Sequence, residues 1–144
     1  MVLTIFATIL FLFLTLHDLV HFPPLTNIKD LKDAESESRR FTDVAINGLC
    51  GLIPLALIVW FGPHQPTWSL RTIKCIYGLL LLGAFLSWWV PYLFGSPAEH
   101  RKAFEKFKNT HHFLPARGEN VVPNTFHVIM HIMMLVCFIL SLFL

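Results

Sequence analysis

Charge is scarce in this chain. Only 14% of its 144 residues are Asp, Glu, Lys or Arg, against about 25% in an ordinary soluble domain. No Lys or Arg occurs before Lys29 and no small-residue cleavage site follows the first apolar run, so a cleaved secretory leader is not expected. The three cysteines, Cys50, Cys75 and Cys137, show no CxxC spacing. No structural disulfide is implied, and they read as small apolar packing residues. There is no Gly-x-Ser-x-Gly turn, no phosphate-binding glycine loop and no dinucleotide fingerprint. The basic residues are interleaved with acids, which speaks against nucleic acid as a partner.

Hydrophobic residues make up 55% of the chain and its mean hydropathy is +0.62. They fall in four runs of about 17–25 residues, the length that crosses a bilayer. The runs cover about 2–22, 41–61, 72–94 and 125–144. Backbone polar groups in lipid must be satisfied within the segment, so these runs are expected to be helices. A barrel strand would alternate apolar and polar residues, and Ile5 to Leu14 does not. The predicted fold is all-α: a single integral membrane domain over 1–144, built as a four-helix transmembrane bundle.

The basic residues predict its orientation. Four spans put the loops 23–40 and 95–124 on one side. That side holds Lys29, Lys32, Arg39, Arg40, Arg101, Lys102, Lys106, Lys108 and Arg117. The other side has only Arg71 and Lys74. Basic residues of short loops stay cytoplasmic, so a multi-pass protein with both termini on the non-cytoplasmic side is expected. Trp60 and Trp68 would mark the outer interface, and Trp88, Trp89 and Tyr92 the inner one. Pro54 and Pro91 lie inside spans and should kink them. Gly48, Gly51, Gly78 and Gly83 offer places for close helix contact.

The inner loops carry helix signals of their own. Ser96 reads as an N-cap, Pro97 as a first helical residue and Glu99 as the return partner of a capping box. The spacing predicts an amphipathic interfacial helix over about 97–109, with Phe104 and Phe107 on one face among basic residues. Asn27 is a second cap, before Ile28, Leu31 and Ala34 at helical spacing.

Histidine carries the chemistry. Of eight histidines, seven lie on or near the cytoplasmic side. His17 and His21 are four apart at the end of span one, beside Asp18. His127 and His131 are four apart at the start of span four. Residues four apart share a helical face. The antiparallel spans bring the pairs to similar depths, roughly 7 Å and 10 Å inside their helix ends. Imidazole suits zinc, copper, iron and nickel, so the pairs would hold a divalent metal, zinc or iron, or a haem. Asp18 would be a further ligand or an orienting group. Asp43 and Asn47 share a face of span two at the same level and would make the pocket polar. The loop before span four adds His111, His112 and Arg117, with Arg117 suited to a phosphate or carboxylate. His64 stands alone in the outer loop and receives no role.

The stretch Arg39 to Asn47 loosely resembles a signature at the start of span two in the small membrane-associated glutathione and eicosanoid enzymes. Gly48, Leu49, Cys50 and Gly51 stand where their glutamate is expected, and the long third loop departs from their pattern. No family is assigned on it.

The leading expectation is a small polytopic membrane protein with a His-rich metal- or haem-binding site at the cytoplasmic leaflet, one form of it an enzyme acting on a lipid or other membrane-soluble substrate. The rivals are a non-enzymatic interaction protein (an immunity factor or accessory subunit, working as a homo- or hetero-oligomer) and a small transporter or channel. The bilayer is the one partner common to all three.

Overall fold

The computed structural model describes residues 1–144 and is all-α, with no strand. Six helices follow one another: α1 Val2–Leu16, α2 Ile28–Ala34, α3 Glu37–Phe61, α4 Thr67–Phe94, α5 Ala98–Phe104 and α6 Thr125–Leu142. Three of them, α3, α4 and α6, are long and apolar enough to cross a membrane. Helix α1 is apolar but has only 15 residues. At 1.5 Å per residue it is about 22 Å long, short of a hydrocarbon core of about 30 Å.

Span one was expected to reach residue 22, and its helix stops at Leu16. The reason is local. The His17 ring turns back and donates from Nδ1 to the carbonyls of Leu14 at 3.0 Å and Phe13 at 3.1 Å. The Leu14 carbonyl belongs to the last turn, which a helix end otherwise leaves without partners; that of Phe13 also accepts from the His17 backbone at 3.1 Å. The chain then folds over Thr26, whose hydroxyl donates to Val20 O and accepts from Phe22 N, both at 2.8 Å. Pro23 and Pro24 could not have continued the helix.

Helices α3 and α4 start earlier than the apolar runs do. Ser36 caps α3 by accepting from Arg39 N at 3.3 Å. Helix α4 begins just after Pro66 and contains Arg71 and Lys74. Both are strong helix formers whose long side chains reach the interface from within a helix. Pro91 leaves a five-residue π-turn over Phe85–Trp89 rather than a plain kink. It has no N–H to offer the carbonyl of Ser87, four residues back. His100 Nε2 donates to that carbonyl at 3.0 Å and ties α5 to α4.

The loop helices follow their caps in part. Asn27 caps α2 as expected, and Asn124, rather than its neighbour Thr125, caps α6. The capping box at Ser96 does not form. Pro97 is the N-cap, the Ser96 hydroxyl is buried without a partner, and the Ser96 carbonyl accepts from Arg101 Nη1. Helix α5 ends at Phe104, short of the expected 109, and passes into a single 3₁₀ turn over Glu105–Phe107.

Helix α1 packs between α3 and α6, and α6 also packs on α4. Leu3, Ala7, Leu10 and Leu14 of α1 meet Ile73 and Tyr77 of α4 and Met130, Met134 and Cys137 of α6 in one core. The outward residues are apolar too: Ile5, Ile9 and Leu12 on α1, Leu79, Leu82 and Leu86 on α4, Ile132 and Leu135 on α6. Helices apolar on every side belong in lipid, and the chain is a membrane-embedded protein in contact with it. The two longer loops meet at one end of the molecule. His111 N donates to Pro24 O at 2.8 Å, Asn109 Nδ2 to Asp30 at 2.8 Å, and Lys106 pairs with Glu35.

Candidate functional site

At that end the first turns of α6 set the site. Asn124 Oδ1 accepts from the His127 backbone at 2.9 Å, which caps the helix, and from His127 Nδ1 at 2.7 Å. Its Nδ2 donates to Thr110 Oγ1 at 2.9 Å, and the Thr110 hydroxyl donates to Phe107 O at 2.6 Å. An amide oxygen only accepts, so Nδ1 of His127 carries the proton and Nε2 is bare. The ring is buried against Trp88, with centroids 4.2 Å apart, and Phe107, at 4.9 Å.

One turn on, His131 is set the other way. Trp89 Nε1 donates to its Nδ1 at 3.2 Å. An indole N–H is donor only, so the neutral ring carries its proton on Nε2. His17 arrives from the end of α1. Its Nδ1 faces two carbonyls and its Nε2 lies 3.2 Å from Asp18 Oδ2. Both nitrogens thus face oxygen atoms. Burial pushes the Asp18 carboxyl above its ordinary range, against the lowering pull of His17 and Lys106.

Three of the four paired histidines therefore come together. The rings of His17 and His127 are 5.8 Å apart, and those of His127 and His131 are 6.1 Å apart. His21 is exposed in the turn beyond α1. With the helix ended at Leu16, the four-residue spacing no longer puts it on the face of His17. No three His, Cys, Asp or Glu side chains are grouped so as to hold a metal ion.

The histidines line a cleft of about 390 Å³ between α3 and α4, floored by α6 and the end of α1. Asn47 and Cys50 of α3 and Ser87 of α4 complete its polar end, and Ile76, Leu79 and Leu80 its apolar length. Asp43 lies outside it, among the charges that face Asp18.

The loop residues are placed elsewhere. Exposed His111 bonds Thr125 Oγ1 through Nδ1 at 2.7 Å. His112 donates from Nε2 to Phe107 O at 3.1 Å, while its Nδ1 is buried without a partner. It lines a second hollow of about 500 Å³ with Arg101 and Lys108, between the 101–108 segment and the loop that follows it. Arg117 is exposed and lies over the Tyr92 ring at 5.6 Å. Tyr92 OH in turn donates to Pro115 O at 3.1 Å, and its carbonyl accepts from Asn120 at 2.9 Å. These bonds dock the loop on α4.

Sequence reasoning took Trp88 and Trp89 for interface markers. Both also sit behind the histidines, and Trp88 is covered by Phe104 at 4.6 Å and Phe107 at 5.1 Å. Their signal was present: two indoles at the inner end of α4 fall at the depth of His127 and His131 on its antiparallel neighbour. The site uses of His100, Ser87 and Cys50 left no comparable trace.

Comparison with protein-family models, curated proteins and solved structures finds no match for this chain. Its fold and surface define a helical integral membrane protein, and its function must be read from the cleft.

Proposed function

We propose that the chain is a four-span membrane protein whose cleft binds a membrane-soluble ligand at the cytoplasmic leaflet. The observation that carries this reading is the composition of the cleft: polar groups gathered at one end and apolar side chains along the rest. Ligand sites are concave and mostly apolar, with a few convergent polar groups. A cleft that opens between two lipid-facing helices admits molecules from the bilayer. The ligand's head would lie at His127 and His131, and its tail along Ile76, Leu79 and Leu80.

Helix α1 is the fourth span in this reading. It is apolar on its buried and its exposed face alike, and a short span is accommodated by local thinning of the bilayer. The basic loops that meet at the histidine end favour a cytoplasmic location for that end, with both termini opposite. Lys102 is exposed on α5 and suits a test. A Lys102→Cys variant should react with an impermeant maleimide in lysed cells and not in intact ones. Labelling of intact cells would reverse the topology.

Bound zinc, iron or haem is not required. His131 Nε2 carries a proton and His17 Nε2 faces Asp18, which leaves His127 Nε2 as the one bare imidazole nitrogen among them. Metal analysis and a visible spectrum of the pure protein should accordingly show no stoichiometric metal and no Soret band.

Gly83 gives the direct test of the cleft. It lines the space, and a Cβ there would meet nothing within 4 Å. Gly83→Phe fills the cleft without disturbing the core and improves the helix propensity of α4. The variant should fold normally, and labelling of α3 and α4 by a photo-reactive long-chain lipid should fall at least about tenfold, the loss expected from blocking roughly 1.4 kcal/mol of contact. Undiminished labelling would remove the cleft as the binding site.

A further inference from the structure

The two free ring nitrogens of the cleft have opposite hydrogen-bond character. Nε2 of His127 is an acceptor, because Asn124 holds its proton on Nδ1. Nε2 of His131 is a donor, because Trp89 occupies its Nδ1 lone pair. Neither has a hydrogen-bond partner in the protein, and both residues line the cleft. Both residues are buried, so neither nitrogen finds free exchange with bulk water. The lining holds no Lys, Arg, Asp or Glu, and its remaining imidazole, His17, is already engaged by Asp18.

We infer that the ligand is an amphiphile with an uncharged hydroxyl head, whose O–H donates to His127 Nε2 while its oxygen accepts from His131 Nε2–H. A hydroxyl is the smallest head that donates and accepts at one atom. A carboxylate or phosphate would satisfy His131 alone. It would also set a charge in a low-dielectric cleft without a counter-charge, which is strongly unfavourable. The class is thus that of long-chain alcohols, acylglycerols and sterols, not of fatty acids or anionic phospholipids. This inference rests on the reading of the cleft as a ligand site.

The experiment uses the full chain in nanodiscs and three diazirine probes of equal chain length: a fatty alcohol, its methyl ether and the corresponding fatty acid at neutral pH. Competition by unlabelled analogues gives affinities, and peptide mapping locates the adducts. The alcohol should label the cleft around Leu79. The ether, which cannot donate, should bind about tenfold more weakly, since it leaves a buried acceptor without a partner. The acid should bind more weakly still.

Variants assign the contacts. His127→Phe should abolish the preference for alcohol over ether. His131→Phe should weaken both probes alike and keep the preference. The probe series on the native chain stands whether or not these variants fold. An acid that labels the cleft as well as the alcohol, or an ether equal to it, overturns the proposal on the head group. Cleft labelling by none of the three probes overturns the ligand reading itself.

Discussion

Replacing Asn124 with alanine is expected to lower stability by about 3 kcal/mol, the sum of two effects. Loss of an N-cap costs about 1 kcal/mol. A buried donor left without an acceptor costs about 1–3 kcal/mol more, and His127 Nδ1–H has no other acceptor within reach. The loop loses its hold as well, because Asn124 Nδ2 is the donor to Thr110. Asn124→Ser separates the two effects. Serine caps a helix as well as asparagine does, yet its short hydroxyl cannot serve the backbone and the ring together. It should keep the cap and lose the ring bond, and so retain roughly half or more of the destabilisation. Thermal unfolding in detergent, followed by far-ultraviolet circular dichroism, reads both variants; a drop of roughly 10 °C is expected for alanine. A serine variant as stable as the parent would mean that the ring bond carries no weight, and that the tautomer of His127 is not fixed by Asn124.

This one residue also shows what the sequence made legible and what it hid. Asn124 was readable as a cap, because capping depends on residues within one turn. Its bond to the His127 ring was not, because it depends on a rotamer set by packing against Trp88. The apolar runs announced α3, α4 and α6, since burial in lipid writes a long signal. They misplaced the ends, where a few hydrogen bonds decide. His17 folding back on Phe13 and Leu14 ends α1 before His21, and no periodicity registers that. The meeting of His17, His127 and His131 followed from antiparallel spans and matched depth. The direction of each ring nitrogen did not, and it is this direction that separates a hydroxyl-binding cleft from a set of metal ligands. It rests on Trp89 and Asn124, residues with good local explanations as belt and cap.

At Gly51 helix α3 lies against the backbone of α1, and filling it is expected to have the largest effect on the bundle. A Cβ on Gly51 would stand 3.0 Å from Phe11 Cα and 3.3 Å from Phe11 Cβ and Leu14 Cδ1. Phe11 Cα is backbone, so the clash cannot be relieved by a rotamer change; α1 itself has to move. Overpacking of this kind costs about 1–3 kcal/mol, more than the roughly 1 kcal/mol that alanine gains over glycine in a helix. Gly51→Ala should therefore be less stable than the parent, and Gly51→Leu should fail to dock α1. Two neighbouring glycines supply the contrast. At Gly48 and Gly78 an added Cβ would sit 3.5 Å from a side-chain atom, Thr15 Oγ1 and Phe138 Cε2 respectively. Those are ordinary contacts, so Gly48→Ala and Gly78→Ala should be neutral or stabilising by up to about 1 kcal/mol. The functional consequence is specific. Leu14, which the new Cβ meets, lies three residues before His17, and Gly51 adjoins Cys50 of the cleft. Moving α1 off α3 displaces His17 and Asp18 relative to His127 of α6, so Gly51→Ala should weaken ligand labelling of the cleft where Gly48→Ala leaves it intact. Equal stability of all three alanine variants would show that α1 and α3 are not held at the separation on which this geometry depends.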